Sequence, residues 1–226
     1  MQRGRKYYVL SNAHVLSIAH GGARPAMGRK GDKVLYPGPA DGGRLPDDWA
    51  AVLADIVPFK AGGTFLNRVD AALAEINRDR LDDLDFALYG VSGPPEMIAP
   101  QRGMTVIKRG RTTGDTEGVV QDINFRAVID YDAVGPVGFL DQVLCTPHTK
   151  PGDSGSLVVA KESGKIVGLH FAGASGAASS IRSKLWSRRS MSNSSSRDGD
   201  TAKKSERQAW RRNRKRNRPA INMPKP

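Results

Sequence analysis

Six short runs crowd the stretch after Gly103: Met104–Lys108, Gly118–Ile123, Ala127–Tyr131, Gln142–Thr146, Leu157–Ala160 and Ile166–Phe171. Each is rich in β-branched and apolar residues, and glycine and aspartate turns separate them at close spacing. A parallel βαβ unit needs a crossover of roughly a dozen residues between paired strands. Strands packed this tightly instead belong to an antiparallel barrel or sandwich. The expected fold class is therefore all-β.

The first half of the chain is less regular. Tyr7–Leu10 and Asp32–Tyr36 read as strands, and Ser11–Leu16 as a turn or short helix. Ala50–Phe59 reads as a strand, although its alanines equally suit a helix. Pro37–Asp48 carries the Gly/Pro content of a surface loop, Gly62-Gly63 breaks the chain, and Val69–Ile76 begins another ordered segment. The predicted organisation is an N-terminal unit over 1–93, a second over 94–180, and a tail over 181–226.

Charge sets the tail apart. The chain has a formal net charge of +12, yet from Ile181 onward it holds 15 Lys and Arg against 3 Asp and Glu, so the preceding residues balance. Beyond Gly176 the composition turns to Ser, Arg, Lys and Asn, as in segments that cannot bury enough apolar surface to fold. The basic residues within 203–218, densest in Arg211-Arg212-Asn213-Arg214-Lys215-Arg216-Asn217-Arg218, would attract nucleic acid without sequence preference. Two readings of this tail stand: a functional nucleic-acid-binding segment, or the product of a frameshift.

A single cysteine, Cys145, excludes an intramolecular disulfide, and its strand-like surroundings suit a buried apolar role. No run approaches the ~18 apolar residues of a membrane span, and Tyr7–Leu10 is too short for a signal-peptide core. Cytoplasmic residence is the default expectation. Asp79, Asp82, Asp83 and Asp85 lack the spacing of a calcium loop, and neither zinc-type Cys/His spacing nor a phosphate-binding loop is present. No metal and no cofactor is expected.

The chemistry concentrates in Lys150-Pro151-Gly152-Asp153-Ser154-Gly155-Ser156, a polar turn leading into the apolar run Leu157-Val158-Val159. Glycines on both sides of Ser154 allow backbone angles that other residues resist. Such a turn can aim the N–H groups of Gly152 and Ser154 into one space beside the Ser154 hydroxyl, where an oxyanion would be stabilised. A serine hydroxyl needs a base to take its proton, and the base needs a third group to orient it. The histidines are His14, His20, His148 and His170, and His14 follows an apolar strand. Two segments place an acid before small and apolar residues: Val69-Asp70-Ala71-Ala72-Leu73 and Leu84-Asp85-Phe86-Ala87-Leu88. Either acid is a candidate on the residues alone.

Leu10-Ser11-Asn12-Ala13-His14-Val15, Val69-Asp70-Ala71-Ala72-Leu73 and Pro151-Gly152-Asp153-Ser154-Gly155-Ser156 follow in the order His, Asp, Ser. In this set, over about residues 7–176, the sequence resembles the trypsin-like, chymotrypsin-fold serine peptidases. It is most similar to their bacterial, disulfide-free branch, which carries a segment like Lys108-Arg109-Gly110-Arg111-Thr112-Thr113-Gly114. The resemblance implies two six-stranded-type antiparallel β-barrels and hydrolysis of a polypeptide through an acyl-enzyme. It implies His14 as general base, Asp70 rather than Asp85 as its orienting acid, Ser154 as nucleophile, and the Gly152 and Ser154 N–H groups as oxyanion hole. Thr149 together with Val167-Gly168-Leu169-His170-Phe171-Ala172-Gly173 resembles the glutamyl endopeptidases and the chymotrypsin-like cysteine proteases of small RNA viruses. That likeness implies a substrate pocket at His148, Thr149, His170 and Gly173 whose hydroxyl and imidazole would receive Glu or Gln; a strand histidine satisfied by backbone is the other reading of His170.

Two departures temper what the resemblance implies. Only about a dozen residues precede His14, fewer than the strands that normally complete the first barrel, so that barrel is expected to have an open edge. Beyond Phe171 the family closes with further strand and helix, where this chain has its basic tail. The rival readings are a fold remnant without activity and a nucleic-acid-associated protein acting through the tail.

Overall fold

The computed structural model of the chain describes residues 1–19, 26–83, 87–146, 149–174 and 177–180. His20, Asp85, His148 and the tail over 181–226, with its basic run, lie outside the described residues. Strands dominate, in line with the expected all-β class. In chain order they are β1 (Gln2–Arg3), β2 (Lys6–Ser11), β3 (Ile18–Ala19), β4 (Ala26–Met27), β5 (Lys33–Leu35), β6 (Trp49–Ile56), β7 (Phe65–Asn67) and β8 (Ala72–Ile76). The second half adds β9 (Thr105–Gly110), β10 (Gly114–Tyr131), β11 (Gly135–Cys145), β12 (Leu157–Ala160), β13 (Ile166–Ala174) and β14 (Ala177–Ser180). A five-residue helix, α1 (Ala13–Ser17), follows β2. Among the described residues no helix is long and apolar enough to cross a membrane.

The second half closes on itself. Strand order runs β10-β9-β12-β13-β14-β11, and β11 pairs back with β10, giving a closed ring of antiparallel strands. Closure removes the exposed edges that an open sheet must otherwise protect. Alternation fills the interior: along β9, Val106, Lys108 and Gly110 are buried while their neighbours are more exposed. Val106, Val120, Val143, Cys145, Val158, Ala160 and Val167 form one core cluster, which confirms the buried setting expected of Cys145. The change in composition after Gly176 does not end the sheet, because β14 pairs with both β13 and β11. Ladder hydrogen bonds come from the backbone, so a run of Ala and Ser can extend a sheet that its side chains do not advertise.

The first half forms an open five-stranded sheet in the order β1-β2-β8-β6-β5. Its edges do not pair with one another among the described residues, in line with the open edge expected of this half. Its own core is small: Ala13, Leu53 and Ala72, with Leu16, Val34, Ile56 and Phe59 packed around them. Two of its features were not anticipated, the two-residue β1 and the strand β7, which leaves this sheet and lies parallel to β11.

A third cluster joins the halves. Tyr131, Val137, Phe139, Leu169 and Phe171 come from β10, β11 and β13, and Leu10, Phe59 and Val69 from the first half pack against them. The long β10–β11 hairpin makes this possible. Register shifts between Val120 and Ala127 bend it, as bulges do, and its far end carries Tyr131 to the first sheet. Phe139 sits at the centre, with ring centroids 6.0 Å from Phe59, 6.5 Å from Tyr131 and 5.0 Å from Phe171.

Truncating this residue leaves a cavity shared by both halves. Phe139→Ala is expected to lower stability by about 3–5 kcal/mol, read as a drop in the urea midpoint.

Candidate active site

α1 begins with backbone N–H groups that have no partner within the helix. The cap position, Asn12, does not satisfy them, since its side chain makes no capping hydrogen bond. Instead the Asp70 carboxylate does so from across the sheet: its Oδ1 accepts from Ala13 N–H at 2.7 Å and from His14 N–H at 3.2 Å. The other oxygen, Oδ2, lies 2.5 Å from His14 Nδ1. Asn12 Nδ2 donates to the Asp70 carbonyl at 2.9 Å and fixes the strand that carries the acid. One buried carboxylate thus anchors the helix backbone and the histidine ring it presents. Negative charge at the helix start is favourable in itself.

The same Oδ2 accepts from the Tyr131 hydroxyl at 2.9 Å. Burial, followed by the nearby Asp70 charge and the hydrogen bond to it, pushes the Tyr131 phenol well above its ordinary range, so it stays a protonated donor.

The Ser154 turn has the backbone its glycines suggest. Gly152 has φ +97° and Gly155 φ +90°, the left-handed region that disfavours any side chain. A Cβ on Gly155 would also lie 2.2 Å from Ser11 Oγ, so this turn is seated directly against the segment that leads into His14. Gly155 N–H donates to the His170 carbonyl and His170 N–H to the Ser156 carbonyl, which ties the turn to β13. Among the described residues, the N–H groups of Gly152 and Ser154 make no hydrogen bond. The Ser154 hydroxyl donates to the Phe171 carbonyl at 3.2 Å rather than to His14.

Asp153 holds this turn from below. Its carboxylate is 0% exposed and pairs with Lys108 Nζ at 2.8 Å, itself 0% exposed. It also accepts from Thr112 N–H (2.9 Å), Thr113 N–H (3.1 Å), Thr113 Oγ1 (2.6 Å), Thr149 Oγ1 (3.2 Å) and Lys150 N–H (3.2 Å). Arg109-Gly110-Arg111-Thr112-Thr113-Gly114 is the β9–β10 hairpin turn, and the anion its N–H groups bind is the chain's own Asp153. Gly110 is required there, because a Cβ would lie 2.3 Å from Asp153 Oδ1. Arg109 and Arg111 face outward to Asp115 and Asp41.

In the expected pocket, Thr149 Oγ1 and His170 Nε2 meet at 2.7 Å, and His170 is 2% exposed. A carboxylate only accepts, so the Thr149 proton points to Asp153, and the hydrogen bonding then assigns the His170 proton to Nε2. Gly173 lies exposed on β13, with Ala178 as its partner. His148 falls outside the described residues, as does Asp85. Lys108 and Tyr131 were missed by sequence reasoning. For Lys108 a signal existed, since it follows Val106 by two residues and so shares its inward face. For Tyr131 none did.

Burial alone would raise the Asp153 pKa. The hydrogen bonds from Lys108, Thr113, Thr112 and Lys150 outweigh it and hold this carboxyl well below the usual carboxylate range. A folded pKa below the unfolded one gives stability that is fully present above about pH 3.9 and is lost as the medium becomes more acidic. Urea midpoints measured on the way down in pH are expected to fall less steeply for Asp153→Asn than for the parent. Lys108→Met strands a buried charge and is expected to lose about 3–5 kcal/mol near neutrality.

No protein-family model and no curated protein sequence matches the chain. Several solved structures are similar to it. A glutamic acid-specific serine protease, described as using a histidine triad in substrate binding, is 20% identical over 81% of this chain and 83% of its own, with a TM-score of 0.47. Cellulomonas bogoriensis chymotrypsin is 17% identical over 76% and 77%, TM-score 0.46, and Thermobifida fusca protease A is 15% identical over 84% and 83%, TM-score 0.47.

Proposed function

We propose that the chain is a serine endopeptidase working through His14, Asp70 and Ser154, with a polypeptide as substrate and no cofactor. The observation that carries this reading is the Asp70 carboxylate, which binds both the ring and the backbone of His14 while Ser11, three residues before that histidine, contacts the nucleophile turn at Gly155.

Asp70 accepts from Nδ1 and so leaves His14 Nε2 as the basic nitrogen. The Ser154 hydroxyl turns from the Phe171 carbonyl to His14 and adds to the substrate carbonyl carbon as its proton passes to Nε2. The oxygen that gains charge is received by the N–H groups of Gly152 and Ser154. His14 returns the proton to the leaving amine, and water then cleaves the ester on Ser154 by the same path in reverse. Lys108 and Asp153 take no part in the proton transfers. They brace the glycine-flanked turn, whose Gly152 and Gly155 take positive φ, and so would hold the two N–H groups in place.

For the side chain beside the scissile bond, the reading is a preference for Glu or Gln. His170 Nε2–H, which donates to Thr149 Oγ1 in the free chain, would exchange that bond for a substrate carboxylate or amide oxygen. Gly173, exposed on β13 and lacking a side chain, would leave the rim of such a pocket open. A nucleic-acid role of residues 203–218 remains an independent proposal, tested by salt-sensitive binding and its loss on deletion of the tail.

Labelling by a fluorophosphonate probe tests the central reading. The full chain is expected to label, and Ser154→Ala is not; a folded chain that fails to label is the inactive remnant instead. Asp70→Asn is expected to lower kcat by roughly four orders of magnitude, because the histidine would hold the wrong tautomer. Profiling on a peptide library is expected to return Glu or Gln before the cleaved bond, and a basic or aromatic preference untouched by His170→Ala would remove the pocket assignment.

A further inference from the structure

We propose that Tyr131 is a positioning residue for Asp70, so that the triad is aligned only when the tip of the β10–β11 hairpin is docked on the first sheet. This rests on the serine peptidase reading and goes beyond it, since that reading assigns Tyr131 nothing.

The hydrogen bonds of Asp70 divide unevenly between the two halves of the protein. Oδ1 takes Ala13 N–H and His14 N–H, and Oδ2 takes His14 Nδ1–H, all from the α1 segment. The Tyr131 hydroxyl supplies the remaining donor to Oδ2, at 2.9 Å, from a hairpin in the other half. Asp70 is fully buried and Tyr131 is 7% exposed, so water is poorly placed to substitute. A carboxylate held on Oδ2 by His14 alone can tilt about its terminal torsion, which is broad for aspartate. A second donor on the same oxygen removes that freedom and holds the carboxylate in register with the ring it orients.

The phenol is itself firmly placed. Its ring stacks on Phe59 at 5.1 Å with planes 13° apart, tilts against His14 at 5.3 Å, and meets Phe139 edge-on. Directly after it the chain reverses, with Val134 N–H bonded to the Tyr131 carbonyl at 2.9 Å. Through Phe139 the same stack reaches Phe171, whose carbonyl holds the Ser154 hydroxyl. The hairpin therefore touches Asp70 directly and, through Phe139, the β13 residue whose carbonyl holds the Ser154 hydroxyl at rest.

The test compares Tyr131→Phe, which keeps the ring and removes the hydroxyl, with Phe59→Leu, which removes the stack and keeps the hydroxyl. Loss of a buried hydrogen bond to a charged group corresponds to roughly a 10- to 100-fold change. Tyr131→Phe is expected to lose that factor in kcat with KM unchanged, and to shift the low-field proton resonance of His14 Nδ1. Phe59→Leu is expected to lower the urea midpoint and leave that resonance in place. Unchanged kcat and resonance in Tyr131→Phe would overturn the proposal, as would losses in both variants that simply track stability. If the parent chain fails to react with a fluorophosphonate, the peptidase reading falls, whereas the resonance comparison still decides whether Tyr131 positions Asp70.

Discussion

The rest of the structure depends on one buried carboxylate. Asp70 sits where β8 begins, at the seam between an open sheet and a closed barrel. Isolated there, its charge would be heavily penalised. It is tolerated because a helix start, an imidazole and a phenol all direct donors at it. The arrangement works in both directions. The donors make a buried anion stable, and the anion fixes a short helix that has too few residues to be stable alone. His14 is oriented as a consequence of solving the helix-capping problem, so structure and chemistry share the same four hydrogen bonds.

A second buried anion does the equivalent for the Ser154 turn. Asp153 draws the β9–β10 turn, Lys108 and the residues before Ser154 around one carboxylate. Buried ion pairs often add little net stability, but they penalise alternatives in which either charge is left alone. Here the disfavoured alternatives are other conformations of a glycine-flanked turn. The cation comes from inside the barrel, on a strand that the barrel core already holds. Two buried acids thus organise the candidate site, one at His14 and one at the Ser154 turn.

This division also explains what could be read from the residues. The contact between His14 and Asp70 was expected only through the family resemblance, since Asp85 fits the local residue pattern equally well, whereas the glycines around Ser154 announced a turn that sterics alone would dictate. Strand spacing pointed to an antiparallel barrel or sandwich, and the barrel was what the resemblance implied. Lys108 was harder: a lysine in a strand suggests an exposed position, and only its alternation with Val106 pointed inward. Tyr131 was not legible at all, since its partner is 61 residues away and nothing local distinguishes it from a strand-end aromatic. The strands β7 and β14 were missed for a related reason, as both are recruited by the backbone of β11 and carry little pattern of their own.

The central claim is that these two anions together deliver a base and a nucleophile to one point. Trapping the acyl intermediate measures that delivery most directly. With an activated ester under rapid-quench conditions, the account predicts a burst of product stoichiometric with the chain, followed by slow turnover, and the acyl group carried on the Ser154 peptide by mass spectrometry. Product release that is linear from the start in folded protein, or an acyl group found on another residue, would contradict it.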